Sequence, residues 1–228
     1  MAHPRVVPIR LGFVKAFLLL GQRPILVDCG LPGSAPRIVK ALEAHGLRPE
    51  DLALLLITHA HTDHFGSAAA LKEAAGVPVA VGRADAEALR QGRNPAGTPR
   101  NALLGFLQRL GGRAGGAPPC EPDILLEGDA DLQPYGVDGQ VLATPGHTPG
   151  SVSVLLADGQ AVVGDLVMGG LLGRGKPSLP LLWDDLDAHR ASLQRLLEAG
   201  PTRIHTSHGG PFHPDEVRAF LLPGADAA

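Results

Sequence analysis

The chain of 228 residues has few cysteines, no basic run and no long apolar run, and each shortage excludes a class of protein. Cys29 and Cys120 lie far apart and form no Cys-x-x-Cys pair, which favours two reduced thiols over a disulfide or a thiolate metal site. Lys and Arg are scattered and the net charge is −3, which argues against a nucleic-acid partner. The aliphatic run at 16–20 is too short to span a bilayer. We therefore expect a cytoplasmic chain with no nucleic-acid partner and no membrane segment; a homodimer is left open.

The length predicts a single domain over residues 1–228, because it is ample for one full core. Apolar runs predict strands at 13–20, 24–27, 54–57, 77–81, 141–144, 151–156, 161–163 and 203–206. Helices are predicted at 34–45 (with Ser34 as N-cap), 65–75, 186–199 and 214–221. A two-residue hairpin turn is predicted at Asp158-Gly159. An apolar strand, a tight turn, a second apolar strand and an Asp occur at 13–28 and again at 151–165, which suggests two similar halves.

Residues 84–122 interrupt this pattern of strands and helices. Two helical stretches, 85–91 and 100–110, are predicted there among glycines and prolines. Long irregular excursions in compact domains tend to be functional. We interpret residues 84–122, called the lid segment below, as an inserted helical lid or cap; whether it covers a substrate is left open.

Three histidines and one aspartate fall within six positions after the strand at 54–57. His59 and His61 are two residues apart in an extended stretch, so their side chains leave the same face of the chain. Asp63 and His64 follow as the chain turns into a helix and point elsewhere. Imidazole and carboxylate are the ligands of zinc-type transition metals. This cluster therefore predicts a metal site, with room for a second ion beside the first.

Three more residues of the same chemistry follow apolar strands and sit beside glycine. They are His147, Asp165 and His208. Each alone is more simply read as a turn or cap residue, but together with the cluster at 59–64 they complete the ligand count that two ions need. Loops at strand ends commonly display functional side chains, and glycine there lets the backbone approach an ion or a substrate. His205 is the nearest competitor, and its position inside a strand favours packing.

The order of these motifs closely resembles the metallo-β-lactamase-fold hydrolases. The resemblance covers nearly the whole chain, from Asp28 through the His-x-His-x-Asp-His run at 59–64 to His208. It implies an α/β fold, an αββα sandwich of two stacked mixed sheets flanked by helices, with a dinuclear site at one edge of the sheets.

The resemblance also implies a role for each motif residue. His59, His61 and His147 would hold one metal ion, and Asp63, His64 and His208 the other, with Asp165 bridging both. Asp28 would orient ligands through hydrogen bonds. Two such ions make hydroxide available near neutral pH and polarise the substrate oxygen, while Asp63 could also pass a proton to the leaving group. Zinc is the default metal, and Mn, Fe and Co fit the same ligands.

Within this family the residues favour a hydrolase of a small ester, thioester or lactone from the glyoxalase II or lactonase-like branch. Antibiotic hydrolysis is disfavoured because Asp165 is present and no export signal is seen. The resemblance to hydroxyacylglutathione hydrolases is loose after Asp165, and the tail after His208 leaves no room for their helical domain. Lactonases commonly place a Tyr after the bridging Asp, where this chain has Val167 and Met168.

Two alternatives come from other classes. One is a persulfide dioxygenase-like enzyme with a single iron held by His, His and Asp. The other is a metal-binding domain without turnover. Metal content separates the first from the hydrolase, whereas the second predicts that metal adds stability but that no substrate turns over.

Overall fold

The computed structural model describes residues 4–95, 97–99, 116–170 and 175–220. The strands are β1 Arg5–Arg10, β2 Lys15–Leu20, β3 Ile25–Val27, β4 Leu54–Ile57, β5 Val79–Gly82, β6 Thr98–Pro99, β7 Ile124–Leu126, β8 Ala130–Asp131, β9 Gly139–Ala143, β10 Val152–Leu156, β11 Gln160–Val162, β12 Leu182–Trp183 and β13 Arg203–His205. The α-helices are α1 Ala35–Glu43, α2 Thr62–Phe65, α3 Ala68–Ala75, α4 Ala86–Gln91, α5 Leu186–Glu198 and α6 Pro214–Phe220. Short 3-10 helices lie at Pro49–Asp51, Arg83–Asp85 and Gln133–Tyr135.

Two mixed sheets form the body of the fold. The first has the strand order β1-β2-β3-β4-β5-β7, with antiparallel pairs up to β3 and parallel pairs beyond it. The second has the order β13-β11-β10-β9-β8 and is antiparallel except for the parallel pair of β11 and β13. Strands β6 and β12 pair separately as a two-stranded ribbon.

Three apolar layers hold the sheets and helices together. Alternate residues of β2, β3 and β4, such as Phe17, Val27 and Leu56, pack against Val141 and Val154 of the second sheet. The opposite faces of the strands are covered by helices, α1 and α3 on the first sheet and α5 and α6 on the second. Successive residues of a strand point to opposite faces, so each sheet is buried against the other sheet on one face and against helices on the other. The four layers are helices, first sheet, second sheet and helices, and the predicted αββα sandwich is confirmed.

The predicted helices and strands match the structure apart from local shifts. The helix predicted at 65–75 is two helices, because the chain breaks at Gly66 and Ser67. A Cβ on Gly66 would lie 2.4 Å from Pro32, and the Ser67 hydroxyl donates to the Leu31 carbonyl at 2.7 Å. Ser34 occupies the N-cap of α1 but makes no side-chain capping bond.

The turn between β10 and β11 also differs from the prediction. Residues 157–159 connect the strands, so the loop has three residues rather than two. Gly159 takes the left-handed conformation at φ +85°, as the last residue of such a loop commonly does. The repeated strand–turn–strand–Asp pattern is present in both sheets, as β2–β3 with Asp28 and as β10–β11 with Asp165.

The single-domain prediction and the lid interpretation are only partly covered by the structure. Helix α4 matches the stretch predicted at 85–91, whereas the one predicted at 100–110 lies outside the described residues. Among the described helices, none has the length and apolar character that crossing a membrane requires. Both cysteines are buried and free, as expected.

Candidate metal centre

The loops that follow β4, β9, β11 and β13 bring all seven predicted ligand residues together at one edge of the sandwich. Ligand-type atoms converge in three overlapping sets: His59, His61 and His147; His59, His64 and Asp165; and Asp63, His64 and His208. Within each set the atoms lie within 4.8 Å of one another. His61 is extended (φ −88°, ψ 144°) and precedes α2, which carries Asp63 and His64. The sequence predicted an extended stretch that ends in a helix, and the structure has this arrangement.

Three ring nitrogens meet in a tight triangle. Nε2 of His59 lies 3.1 Å from Nδ1 of His61, and Nε2 of His147 lies 3.1 and 3.0 Å from the same two atoms. Bonds of 2.0–2.1 Å at a tetrahedral angle would put ligand nitrogens about 3.3 Å apart. The triangle is therefore close to the spacing that one zinc-like ion requires.

Hydrogen bonds on the far side of the rings determine which nitrogens carry protons. His147 Nδ1 donates to the Leu182 carbonyl at 2.8 Å. The Thr58 hydroxyl gives its only proton to Asp28, so at 3.1 Å it accepts from His59 Nδ1. Both Nε2 atoms therefore present lone pairs to each other at 3.1 Å, an arrangement that a shared cation stabilises.

The second half of the site repeats this pattern. His64 Nδ1 donates to Asp28 Oδ2 at 2.8 Å, and His208 Nδ1 donates to the Phe13 carbonyl at 3.1 Å. Their Nε2 atoms face carboxylates: His208 Nε2 is 3.2 Å from Asp63 Oδ2, and His64 Nε2 is 3.8 Å from the same oxygen. The ring faces are packed too, since Phe13 stacks on His208 with centroids 5.6 Å apart.

Asp165 lies between the two halves. Its Oδ2 is 3.7 Å from His147 Nε2, while its Oδ1 is 3.5 Å from His64 Nε2 and 3.6 Å from His208 Nε2. Within the described part of the chain, His64 Nε2 and Asp165 Oδ1 are buried without a hydrogen bond. Buried polar atoms are rarely left this way, so this pair fits a site for divalent cations.

The two halves favour opposite charge states. Burial, reinforced by the neighbouring histidines, lowers the pKa of His59 and His147 well below the usual range, and burial lowers that of His61 to about 4. These rings are therefore neutral, as a metal ligand must be. Burial also opposes charge on His64, but the carboxylates of Asp28, Asp165 and Asp63 outweigh it and raise its pKa to about 10. The carboxylates in the half of the site around His64 therefore attract positive charge.

Glycines beside the strand ends are needed for contacts within the protein. Gly146 has φ +132°, and a Cβ there would lie 2.2 Å from the backbone of His189 in α5. Gly164 has φ +53°, and a Cβ there would lie 2.6 Å from the Thr58 hydroxyl. We expected these glycines to let the backbone approach an ion or a substrate. Instead, they let it approach His189 and Thr58 within the protein.

Several residues around the site carried no role in the sequence interpretation. Thr58 immediately precedes the motif at 59–64, and its hydroxyl orients His59. Asp85 and Asn94 accept hydrogen bonds from the loop at 59–64, and Lys15 Nζ donates to the Gly209 carbonyl. His205 packs edge-on against Phe17, as expected.

Family comparison agrees with this geometry. The family described as the Metallo-beta-lactamase superfamily matches residues 9–208, which include all the motif residues. The chain belongs to the metallo-β-lactamase superfamily. The predicted family is therefore confirmed, and relatives named as metallo-hydrolases support the predicted metal-dependent hydrolase.

Relatives within the superfamily carry several names. The probable metallo-hydrolase YqgX of Bacillus subtilis is 33% identical over 159 residues, covering 69% of this chain and 67% of that protein. A hydroxyacylglutathione hydrolase of Ectopseudomonas mendocina is 30% identical over 202 residues, covering 86% and 63%. An N-acyl homoserine lactonase of a Bacillus species is 31% identical over 158 residues, covering 59% and 54%.

Solved structures show the same fold. A metallo-beta-lactamase family protein of Thermus thermophilus superposes with a TM-score of 0.70, covering 96% of this chain and 79% of that one at 24% identity. Superfamily membership implies divalent metal ions, and the His/Asp sets supply a place for them. The convergence of the seven residues is observed, whereas their individual roles as ligands, and that of Asp28 as an orienting residue, stay predictions.

Proposed function

We propose that this chain is a dinuclear metal-dependent hydrolase of small esters, thioesters or lactones. The observation that carries the proposal is the pairing of two ligand sets across Asp165, one neutral and one acidic. His59, His61 and His147 would hold one ion, Asp63, His64 and His208 the other, and Asp165 both. Zinc suits these ligands best. Two divalent ions there would supply a water of lowered pKa and an electrophile for the substrate oxygen.

The protein's own contribution is orientation and proton handling. Thr58, Asp28 and the Leu182 and Phe13 carbonyls bind Nδ1 of four imidazoles, so that the Nε2 atoms of all four point inward, where they would bind the ions. The Asp63 side chain is 23% exposed and its carboxylate lies 3.2 Å from His208. It is therefore the acid best placed to exchange a proton with a leaving group arriving from solvent.

The placement of His64 and His208 favours this proposal over a single-iron oxygenase. An enzyme that uses one ion held by His, His and Asp has no need for two further inward-facing imidazoles with carboxylates 3.2–3.8 Å away. The second ligand set supports two ions and hydrolysis.

The surroundings of Asp165 bear on the substrate. Val167 and Met168 are buried, and neither offers a hydrogen bond to a substrate carbonyl. The next residue after Tyr135, Gly136, accepts a hydrogen bond from Gln22 N, just before β3 begins. Asp28 follows the other end of β3, so Tyr135 lies at the opposite end of this strand from Asp28. Similarity to the lactonase and to the hydroxyacylglutathione hydrolase supports ester-like substrates. The lack of a nearby tyrosine in the described residues favours esters and thioesters over tyrosine-assisted lactone opening.

Elemental analysis followed by a substrate panel tests the proposal. We expect two ions per chain and turnover on thioester, ester or lactone substrates. His59→Ala and Asp165→Ala should each lose metal and lower kcat/KM by about a thousandfold or more, since metal activation is worth several kcal/mol. His213→Ala is the matched control, because that histidine is exposed outside the site. Wild-type turnover in His59→Ala, or one iron per chain with oxygen consumption on a persulfide, would overturn the proposal.

A further inference from the structure

A buried carboxylate outside the ligand sets joins two of the loops that carry them. Asp85 is 1% exposed and lies between β5 and α4. Its Oδ2 accepts from Ala60 N at 2.8 Å and from the Thr148 hydroxyl at 2.7 Å, and its Oδ1 accepts from Gly150 N at 2.8 Å. Ala60 separates His59 from His61, and Thr148 follows His147. One side chain therefore ties together the two loops that form the histidine triangle.

A second side chain of the same segment holds the other side of His61. Asn94 Oδ1 accepts from Thr62 N at 2.8 Å. The amides immediately before and after His61, on Ala60 and Thr62, are thus both bound by side chains from residues 85–94. His61 makes no long-range backbone pairing of its own in a named strand, so these two bonds restrain its backbone.

The contact at Asp85 requires an acceptor with no proton. Each of its three partners donates, and a Cβ on Gly150 would lie 2.6–2.7 Å from Asp85, so the two are in close contact. An amide in place of the carboxylate would turn an NH₂ group toward at least one of these donors, leaving it unsatisfied at a buried position.

We propose that Asp85 and Asn94 are positioning residues of the metal centre, setting the spacing of His61 and His147 through the amides and hydroxyl they bind. The inference rests on the proposed metal site and extends it to the start of the lid segment. Orienting partners of ligands typically change metal affinity by 10- to 100-fold when removed.

The experiment measures metal binding without any substrate. Zinc affinity is determined by competition with a chromophoric chelator, and the d–d absorption spectrum of the cobalt(II)-loaded protein reports the ligand geometry. We expect Asp85→Asn to bind zinc about 10- to 100-fold more weakly and to shift the cobalt bands. Asp123→Asn is the matched control, because Asp123 also accepts from a backbone amide, Val79 N at 2.8 Å at the start of β5, but outside the site.

A second pair of variants separates positioning from folding. Asn94→Leu removes the acceptor for Thr62 N, whereas Asn94→Asp keeps one, so we expect loss of affinity in the first and recovery in the second. If Asp85→Asn fails to fold, this pair decides. If Asp85→Asn folds, wild-type zinc affinity and an unshifted cobalt spectrum in that variant overturn the inference. If it does not fold, the same two results in Asn94→Leu overturn it. A wild-type protein that binds two ions but hydrolyses nothing in the panel defeats the proposed hydrolase and leaves this inference intact.

Discussion

Asp28 and His64 form a buried pair in which Nδ1 of the ring donates to Oδ2 of the carboxylate at 2.8 Å. Both side chains are fully buried. Asp28 also accepts from the backbone N–H of Thr58 at 2.8 Å and from its hydroxyl, so one carboxylate orients His64 directly and His59 through Thr58. It does so from a left-handed backbone conformation, φ +60°. Asp and Asn tolerate this conformation better than other non-glycine residues.

Asp28→Asn should weaken metal binding while the fold persists. Asn keeps the tolerated backbone conformation but removes the charge that holds His64 in its ligand tautomer, so we expect zinc affinity to fall by about 10- to 100-fold. Asp28→Ala should lose as much affinity and also about 1–2 kcal/mol of stability from the left-handed backbone. Chelator competition and urea unfolding of the metal-free proteins measure the two effects. Unchanged affinity in Asp28→Asn would show that the pair is only structural.

Removing the metal should lower the melting temperature substantially. Binding at a thousandfold excess over Kd stabilises the folded state by about 4 kcal/mol per site, and a chain of this size gains roughly 2–4 °C per kcal/mol. Chelation should therefore lower Tm by about 8 °C or more, because the stabilisation that the bound ions give the folded state is lost.

Calorimetry before and after EDTA, and again after zinc is restored, measures this difference. The His59→Ala/Asp165→Ala double variant is the control, and its Tm should change little under the same treatment. Coincident transitions for the wild-type protein with and without chelator would contradict a pre-formed site that binds metal tightly.

Phe13 should contribute to substrate binding rather than to the chemical step. Its side chain is 54% exposed and stacks on His208, and Leu31 is the other large apolar side chain exposed in the described ranges. Phe13→Ala should raise KM for esters increasingly with acyl chain length, at up to about 0.8 kcal/mol per buried methylene, and leave kcat largely unchanged. The carbonyl that binds His208 is retained in this variant.

Steady-state kinetics on a series of p-nitrophenyl esters measures the effect, with Leu31→Ala as the comparison for an exposed apolar side chain. A fall in kcat for every chain length would mean that the Phe13 ring acts through His208 instead.

The part of the site at 59–64 could be predicted from the sequence because neighbouring residues alone determine how its side chains point. Strand β4 ends at Ile57, the chain stays extended through His61, and α2 follows, so the pattern at 59–64 determines which side chains share a face. The αββα sandwich was predicted from the family resemblance, and the burial of β2 and β4 on both faces agrees with their apolar sequences. His147 and His208 were predicted from their positions beside glycine after apolar strands, and the family resemblance assigned each of them to one of the two ions.

The orienting contacts could not be predicted because they join segments distant in the sequence. The Leu182 carbonyl binds a ring 35 positions away, and the Phe13 carbonyl binds one 195 positions away. A carbonyl has no side-chain signature, so no sequence pattern marks it. Asp85 likewise looks like an ordinary residue before a helix, and only the fold brings Ala60 and Gly150 to it.

The stability of the metal-free protein should fall as the pH decreases from about 6.5 to about 4, in part because of His205. Burial lowers the pKa of His205 to about 4, with the positive charges of Arg203 and Lys15 adding to it. The unfolded chain binds a proton to this group near pH 6.5, so between these values it holds more protons than the native state. The contribution of His205 to stability is therefore fully present above about pH 6.5 and is lost as the pH falls through this window.

His205→Leu keeps an apolar contact with Phe17 and should lessen that decline, whereas His213→Gln, at an exposed position, should not. Urea midpoints of the metal-free proteins at several pH values across this window give the slopes, and equal slopes for the wild-type protein and His205→Leu would refute the assignment.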